Sequence, residues 1–262
     1  MSCGLRHPIL LICLLAGLAG CSREPFPRAP LEPVTRFSLG SAKFTPFRSR
    51  PTGKELYDAA IKLYASFGSV AATAEVPGRP GSRSDLRFDS GGRRTLVSNW
   101  LGGSVLVCDG NRGLVYVPKS NSFFRRRPAW GAQRPDVAAL WAGLMPSPGR
   151  PFDSYRLLSD TVTNGTPVYV LELHEPARGK YPAQITRAYL GKVDLLPRRL
   201  EYQDIETSKG RGRTGRPSQV ATQVFTGFEV NITLPDALFS TTPPKGARPA
   251  KRGPRGEVIL DS

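Results

Sequence analysis

The chain predicts an α+β fold built on an antiparallel sheet, and three observations carry that prediction. Short runs of apolar residues, many of them alternating with polar ones, recur at hairpin spacing. Turn signals such as Asp109-Gly110 and Asn164-Gly165 separate them, with no crossover helices between. Helical periodicity is confined to two short stretches, so the helices should share one face of the sheet. A large twisted antiparallel sheet curls, and curling around helices leaves an apolar concavity suited to lipid-like ligands.

The chain opens with a short basic region, Arg6 and His7, and an apolar run from Ile9 to Leu18. A bilayer-spanning helix needs about 20 apolar residues, so this run reads as a signal-peptide core. Leu18-Ala19-Gly20-Cys21 closes it as a lipobox. Small residues let a peptidase approach the backbone, and the Cys21 thiol can form a thioether to diacylglycerol. Residues 1–20 are therefore expected to be removed and Cys21 to be lipidated, palmitate being a typical acyl group. Pro25, Pro27, Pro30, Pro33, Pro46 and Pro51 make residues 21–51 read as a stiff, extended tether.

Of the 262 residues, 52–247 remain as one domain of ordinary size, and 248–262 read as a basic flexible tail. Of the four cysteines, Cys3 and Cys13 leave with the signal and Cys21 is consumed by lipid. Cys108, in an apolar run, is expected to act as a small hydrophobe, and the mature monomer can form no internal disulfide. The formal charge of +16 becomes +15 once Arg6 is removed. Arg125 to Arg127, Lys209 to Arg216 and Lys245 to Arg255 concentrate it. Such clusters suit an anionic membrane or serve solubility, and export argues against nucleic acid.

Thr52 and Glu55 form a capping box, and Leu56, Ala60, Leu63 and Phe67 give one apolar helical face before a stop at Gly68. A period of two follows. Strands are expected at Ser69 to Glu75, around Leu86 and Phe88, at Arg94 to Leu101, Gly103 to Cys108, Leu114 to Val117, and Ser122 to Arg126. A second helix is expected from Pro135 to Met145. Strands resume at Tyr155 to Thr163, Pro167 to His174, Gln184 to Leu190, Arg198 to Asp204, and Ser218 to Val230.

Four segments resemble the LolA/LolB-like superfamily of periplasmic lipoprotein carriers and receptors. They are the helix Glu55 to Phe67 leading into Ser69 to Glu75, and the hairpin Val105 to Pro118 around Asp109-Gly110. The unit Tyr189 to Leu200 around Leu196-Pro197, and the closing stretch Asn231 to Ala247, complete the set. The resemblance covers roughly residues 53 to 247. It implies a half-barrel of about eleven strands with helices covering the concave face. It also implies burial of acyl chains there, at about 0.8 kcal/mol per CH₂. Candidate cavity-lining residues are Leu56, Leu63, Phe67, Phe88, Val105, Val107, Tyr116, Trp141, Leu144, Tyr169, Leu171 and Phe225. The anchor places the chain nearer the receptor branch, where an exposed apolar loop contacts the bilayer; Trp100 and Leu101 are the candidates for that role. By enterobacterial sorting rules Ser22 permits the outer membrane, so the expected location is the cell envelope, on the periplasmic side of the outer or inner membrane.

No catalytic, metal or cofactor motif occurs in the sequence, and no enzyme is expected. His174 is the one histidine beyond the signal, and Asp85/Asp89 and Glu201/Asp204 follow no metal-loop spacing. Two functions stay open. One is reversible binding of lipid or lipoprotein acyl chains, and the other is an envelope sensor or assembly module with a closed core. Membrane lipid through Cys21 is an expected partner of either, joined by acyl chains of lipids or lipoproteins in the first and by a protein in the second.

Overall fold

The computed structural model describes residues 31–91, 94–100, 103–126, 137–146, 151–179, 181–205, 220–252 and 258–260. The signal peptide, Cys21, Leu101 and the Lys209 to Arg216 cluster lie outside them.

Helix α1, Gly53–Ala65, begins where the capping box sets it. Thr52 Oγ1 accepts from the Glu55 amide at 3.2 Å, and Glu55 Oε2 accepts from the Thr52 amide at 2.7 Å. The helix stops at Ala65 with Ser66 as its cap, not at Gly68. The Ser66 amide and hydroxyl both donate to the Leu63 carbonyl, which satisfies that turn without a left-handed glycine.

The strands are β1 (Phe37–Ser38), β2 (Ser69–Glu75), β3 (Ser84–Asp89), β4 (Arg94–Trp100), β5 (Ser104–Cys108), β6 (Gly113–Val117) and β7 (Ser122–Arg126). After helix α2 (Val137–Trp141) come β8 (Ser154–Leu157), β9 (Thr161–Thr163), β10 (Thr166–Glu175), β11 (Ala183–Gly191), β12 (Pro197–Ile205) and β13 (Ala221–Val230). Two short strands, β14 (Arg248–Arg252) and β15 (Val258–Leu260), end the series.

Among the described residues all belong to one open sheet of 15 strands, ordered β15-β14-β7-β6-β5-β4-β3-β2-β13-β12-β11-β10-β8 with β1 beside β13 and β9 beside β10. The fold is thus α+β, a large curved, mostly antiparallel half-barrel with α1 packed inside. The extra strands over the expected eleven are short ones. The run expected from Tyr155 to Thr163 is two strands, β8 and β9, both paired with β10. The β9–β10 turn is Asn164-Gly165 with φ of 49° and 73°, the left-handed pair a two-residue hairpin needs.

Both ends of the chain differ from the tether and tail expected of them. Residues 31–47 form an arm along the sheet: Val34 is buried, and Phe37, Leu39, Phe44 and Phe47 pack on the main core. Prolines stiffen a chain whether or not it is packed, and these apolar residues give the arm something to bury. At the other end, β14 pairs in parallel with β7, Arg248 opposite Ser122.

Candidate functional site: the concave face of the half-barrel

Strand parity sends one set of residues to the concave face. Val70, Ala72 and Ala74 of β2, Leu86 and Phe88 of β3, and Phe225, Phe228 and Val230 of β13 join Leu56, Ala60, Leu63 and Tyr64 of α1 in one core. Beneath α1 this core is sealed. Leu56, Ala60, Phe88, Leu171, Phe225 and Phe228 have no solvent-accessible surface, so no water-sized space touches them.

Toward β4–β6 the seal loosens. Val97 and Leu106 keep 6% and 5% exposure, while Phe124, Trp141 and Met145 are half-buried against the same core. Trp141, the last residue of α2, stands edge-on to Phe225 with ring centroids 6.3 Å apart. Gly143 (φ +69°) then turns the chain down onto the sheet. A Cβ there would lie 3.1–3.2 Å from the side chains of Leu200, Thr186 and Tyr202, which would have to give by a few tenths of an ångström.

The two phenols of α1, Tyr57 and Tyr64, are held neutral. Burial raises the Tyr64 pKa well above its ordinary value, and its hydroxyl donates to the Leu195 carbonyl at 3.1 Å. Tyr57, between Phe152 and Tyr155, is pushed up to about 12, chiefly by burial. Around α1, β2, β3 and β13 the concave face offers chiefly apolar contact, while the buried Arg198–Asp194 pair lies close enough to Tyr64 to act on its hydroxyl.

Of the candidate lining residues, Leu56, Leu63, Phe67, Phe88, Leu144, Tyr169, Leu171 and Phe225 lie in this core, with Trp141 against it. Val105, Val107 and Tyr116 do not. Their mutual register is as expected, Val105 opposite Tyr116, but they face the convex side. There Val105 and Val107 meet Leu96, Phe239, Leu31, Leu234 and Leu238, and Tyr116 donates to Asn121. Leu106 and Val115, paired across the same hairpin, take the concave positions. The sequence missed them because both faces of this hairpin are covered: the closing stretch 231–247 crosses the convex side. A run apolar on both faces has no direction. Trp100 is the last residue of β4, paired with Ser104 across a hairpin, while Leu101 lies outside the described residues.

The titratable groups singled out from the sequence are held in structural pairs. Asp85 accepts from Thr73 at 2.7 Å, from Ser98 and from Arg83. Asp89 pairs with Arg94, and Glu201 accepts from Tyr189 and Arg199. His174 lies on β10 opposite Ser154. Burial pushes the Cys108 thiol up. Among the described residues no group of three or more His, Cys, Asp or Glu could hold a metal ion. Among them also, no helix is long and apolar enough to cross a membrane.

An open half-barrel holding a helix against its concave face is thus the class that the chain defines. No protein-family model matches it, and no curated protein matches it. Solved structures similar to it include an uncharacterized conserved protein from Thermus thermophilus, 15% identical, with a TM-score of 0.46, covering 75% of this chain and 96% of that one. LprF from Mycobacterium bovis is 9% identical, with a TM-score of 0.42, over 70% and 95% of the two chains. A LolA superfamily protein from Nitrosomonas europaea is 15% identical, with a TM-score of 0.29, over 73% and 98%.

Proposed function

We propose that this chain is a bacterial envelope lipoprotein, anchored through Cys21, that binds an acyl chain of a lipid or lipoprotein. The acyl chain enters the concave face between α2 and strands β4–β7. The observation behind this is the cluster of half-buried Phe124, Trp141 and Met145 against the core beside Val97 and Leu106, while Leu56, Ala60, Phe88, Phe225 and Phe228 at its centre have no accessible surface. Opening at that side costs least, because α2 in its described part is five residues long and leans on the sheet through Trp141 and the Gly143 turn. Each buried CH₂ returns about 0.8 kcal/mol, so a chain of a dozen carbons offsets considerable rearrangement. Binding of this kind needs no catalytic group, and we propose none.

The test is lipid bound to the Cys21→Ala chain, extracted and identified by mass spectrometry. Near-stoichiometric acyl lipid, lost in Leu106→Glu with unchanged circular dichroism, supports the reading. A second reading, an assembly or sensor module with a permanently filled core, is favoured by the complete burial of Leu56, Phe88 and Phe225. Lipid-free protein that also takes up no added palmitate would leave only that second reading.

A further inference from the structure

The strand ends of β2–β7 form two rims. One carries the β2–β3 connection 76–83, the Trp100–Ser104 hairpin end, and the β6–β7 turn 118–121. The other carries the β3–β4 turn, the β5–β6 turn 109–112, and Asn231 after β13. The arm starts at the first rim. The Leu31 carbonyl accepts from Arg83, the Glu32 carbonyl from Arg87 at 2.6 Å, and the Val34 amide donates to Thr73 at 2.9 Å. From there Phe37 and Ser38 run parallel to Phe228 and Glu229, and Gly40 reaches Val230 at the second rim.

Cys21 therefore connects to the first rim by the ten residues from position 21 to Leu31. Ten residues span at most about 35 Å, and about 31 Å if Pro25, Pro27 and Pro30 hold polyproline geometry. A six-residue strand such as β3 is about 20 Å long. Resting the second rim on a membrane would spend most of the connection doubling back along the sheet. Resting the first rim there spends none of it.

Charge agrees. On the β2–β7 side the first rim carries Arg79, Arg83, Lys119, Lys245 and Arg248, with Lys119, Lys245 and Arg248 exposed. Lys245 and Arg248 reach it because the Gly246 carbonyl accepts from Asn121, and the Arg248 amide donates to the Asn121 carbonyl. The exposed acids there are Glu32 and Glu75, while Asp85 is buried in its bonds to Thr73, Ser98 and Arg83. Among the described residues farther round, on the β8–β12 side, the same end carries Arg178 with Asp153 and Asp204.

We infer that this rim, with Arg79, Lys119, Lys245 and Arg248, lies against the headgroups of an anionic membrane. The half-barrel then stands with its strands pointing away from the bilayer and its β3–β4 and β5–β6 turns distal. The inference rests on the reading that Cys21 is lipidated.

The experiment uses the full chain, produced in bacteria and reconstituted in vesicles of phosphatidylethanolamine and phosphatidylglycerol. Single cysteines at Lys119 or Lys245, and at Asn111 or Val193 on the second rim, take a fluorophore; a headgroup-bound nitroxide lipid quenches it. Quenching at positions 119 and 245 is expected to exceed that at 111 and 193 several-fold. Raising the ionic strength should shrink the difference without releasing the protein. In Gly227→Ala, where a Cβ would sit 2.4 Å from the Val34 carbonyl, the difference should collapse while anchoring persists once proteolysis within residues 31–36 shows that the arm has come free. Equal or reversed quenching with Cys21 acylated, by intact mass, overturns the orientation alone. An unmodified Cys21 overturns the anchor and this inference with it.

Discussion

The Arg198 guanidinium lies 3.7 Å from the centroid of the Phe37 ring. The same group pairs with Asp194 at 2.5 Å and donates to the Leu196 carbonyl at 2.9 Å. One side chain thus locks the β11–β12 turn and clamps the N-terminal arm at the place where β13 leaves β12 and pairs with β1. A stacked cation of this kind, largely withdrawn from water, gains from the ring face as well as from its carboxylate.

Removing that clamp should be costly. Arg198→Ala leaves Asp194 without its cation and Phe37 without its lid. The expected loss is about 3 kcal/mol of unfolding free energy by urea titration. Arg198→Lys should recover only part of it, because an ammonium cannot both stack flat and hold the carboxylate.

Gly227→Ala tests the arm from the other side. No Cβ fits between β13 and Val34, so either the arm or the strand must move. We expect a loss of about 1–3 kcal/mol. Limited proteolysis should cut within residues 31–36 in the variant and spare them in the parent chain.

At α1 the effect depends on pH with a definite sign. The Glu55 carboxyl is held below its ordinary value of 4.5 by the Thr52 amide first and the Thr52 hydroxyl second, against a slight opposing effect of desolvation. A depressed folded pKa contributes stability that is present above the unfolded value and lost as pH falls through the folded one. Thr52→Ala should cost about 1 kcal/mol of capping near neutral pH, and less once Glu55 is protonated. Stability curves from pH 7 downward for the two proteins should therefore converge in acid, and the Glu55 carboxyl should titrate at higher pH in the variant by NMR.

Cys108 should be inert in the folded chain. It is fully buried, and burial pushes its thiol up. An aromatic disulfide reagent at mildly alkaline pH should label it only with the kinetics of unfolding. Labelling as fast as an exposed thiol would mean that β5 opens locally.

Much of the scaffold was legible from local chemistry. The capping box at Thr52 and Glu55, the strand Ser69 to Glu75 and the hairpin turn Asn164-Gly165 follow from backbone requirements satisfied within a few residues. The second helix was placed but overextended, since only Val137–Trp141 is helical among the described residues. Leu56, Leu63, Phe67 and Phe88 lie in the concave core, where the helical period of α1 and the alternation Leu86-Arg87-Phe88-Asp89 put them.

The side of β5 and β6 was not legible. Val105, Leu106, Val107, Leu114, Val115 and Tyr116 are apolar throughout, and the pairing of Val105 with Tyr116 holds whichever face is inward. Only the covering of the convex face by Leu31, Leu234 and Phe239, drawn from the two ends of the chain, explains why both faces are greasy. For the same reason the arm passed for a tether, since its prolines report stiffness while the use of Phe37 and Phe47 depends on Arg198 and Tyr169 far along the chain.

The sequence by itself determined the antiparallel α+β scaffold, the start of α1 and the turns, because those depend on hydrogen bonds and dihedral preferences between near neighbours. Tertiary structure alone decided which side of each strand faces inward, that residues 31–47 and β14 run along the sheet, and at which rim the N-terminal arm begins. Those outcomes depend on contacts between residues up to about two hundred positions apart, such as Arg36 with Glu229, and no local pattern encodes them.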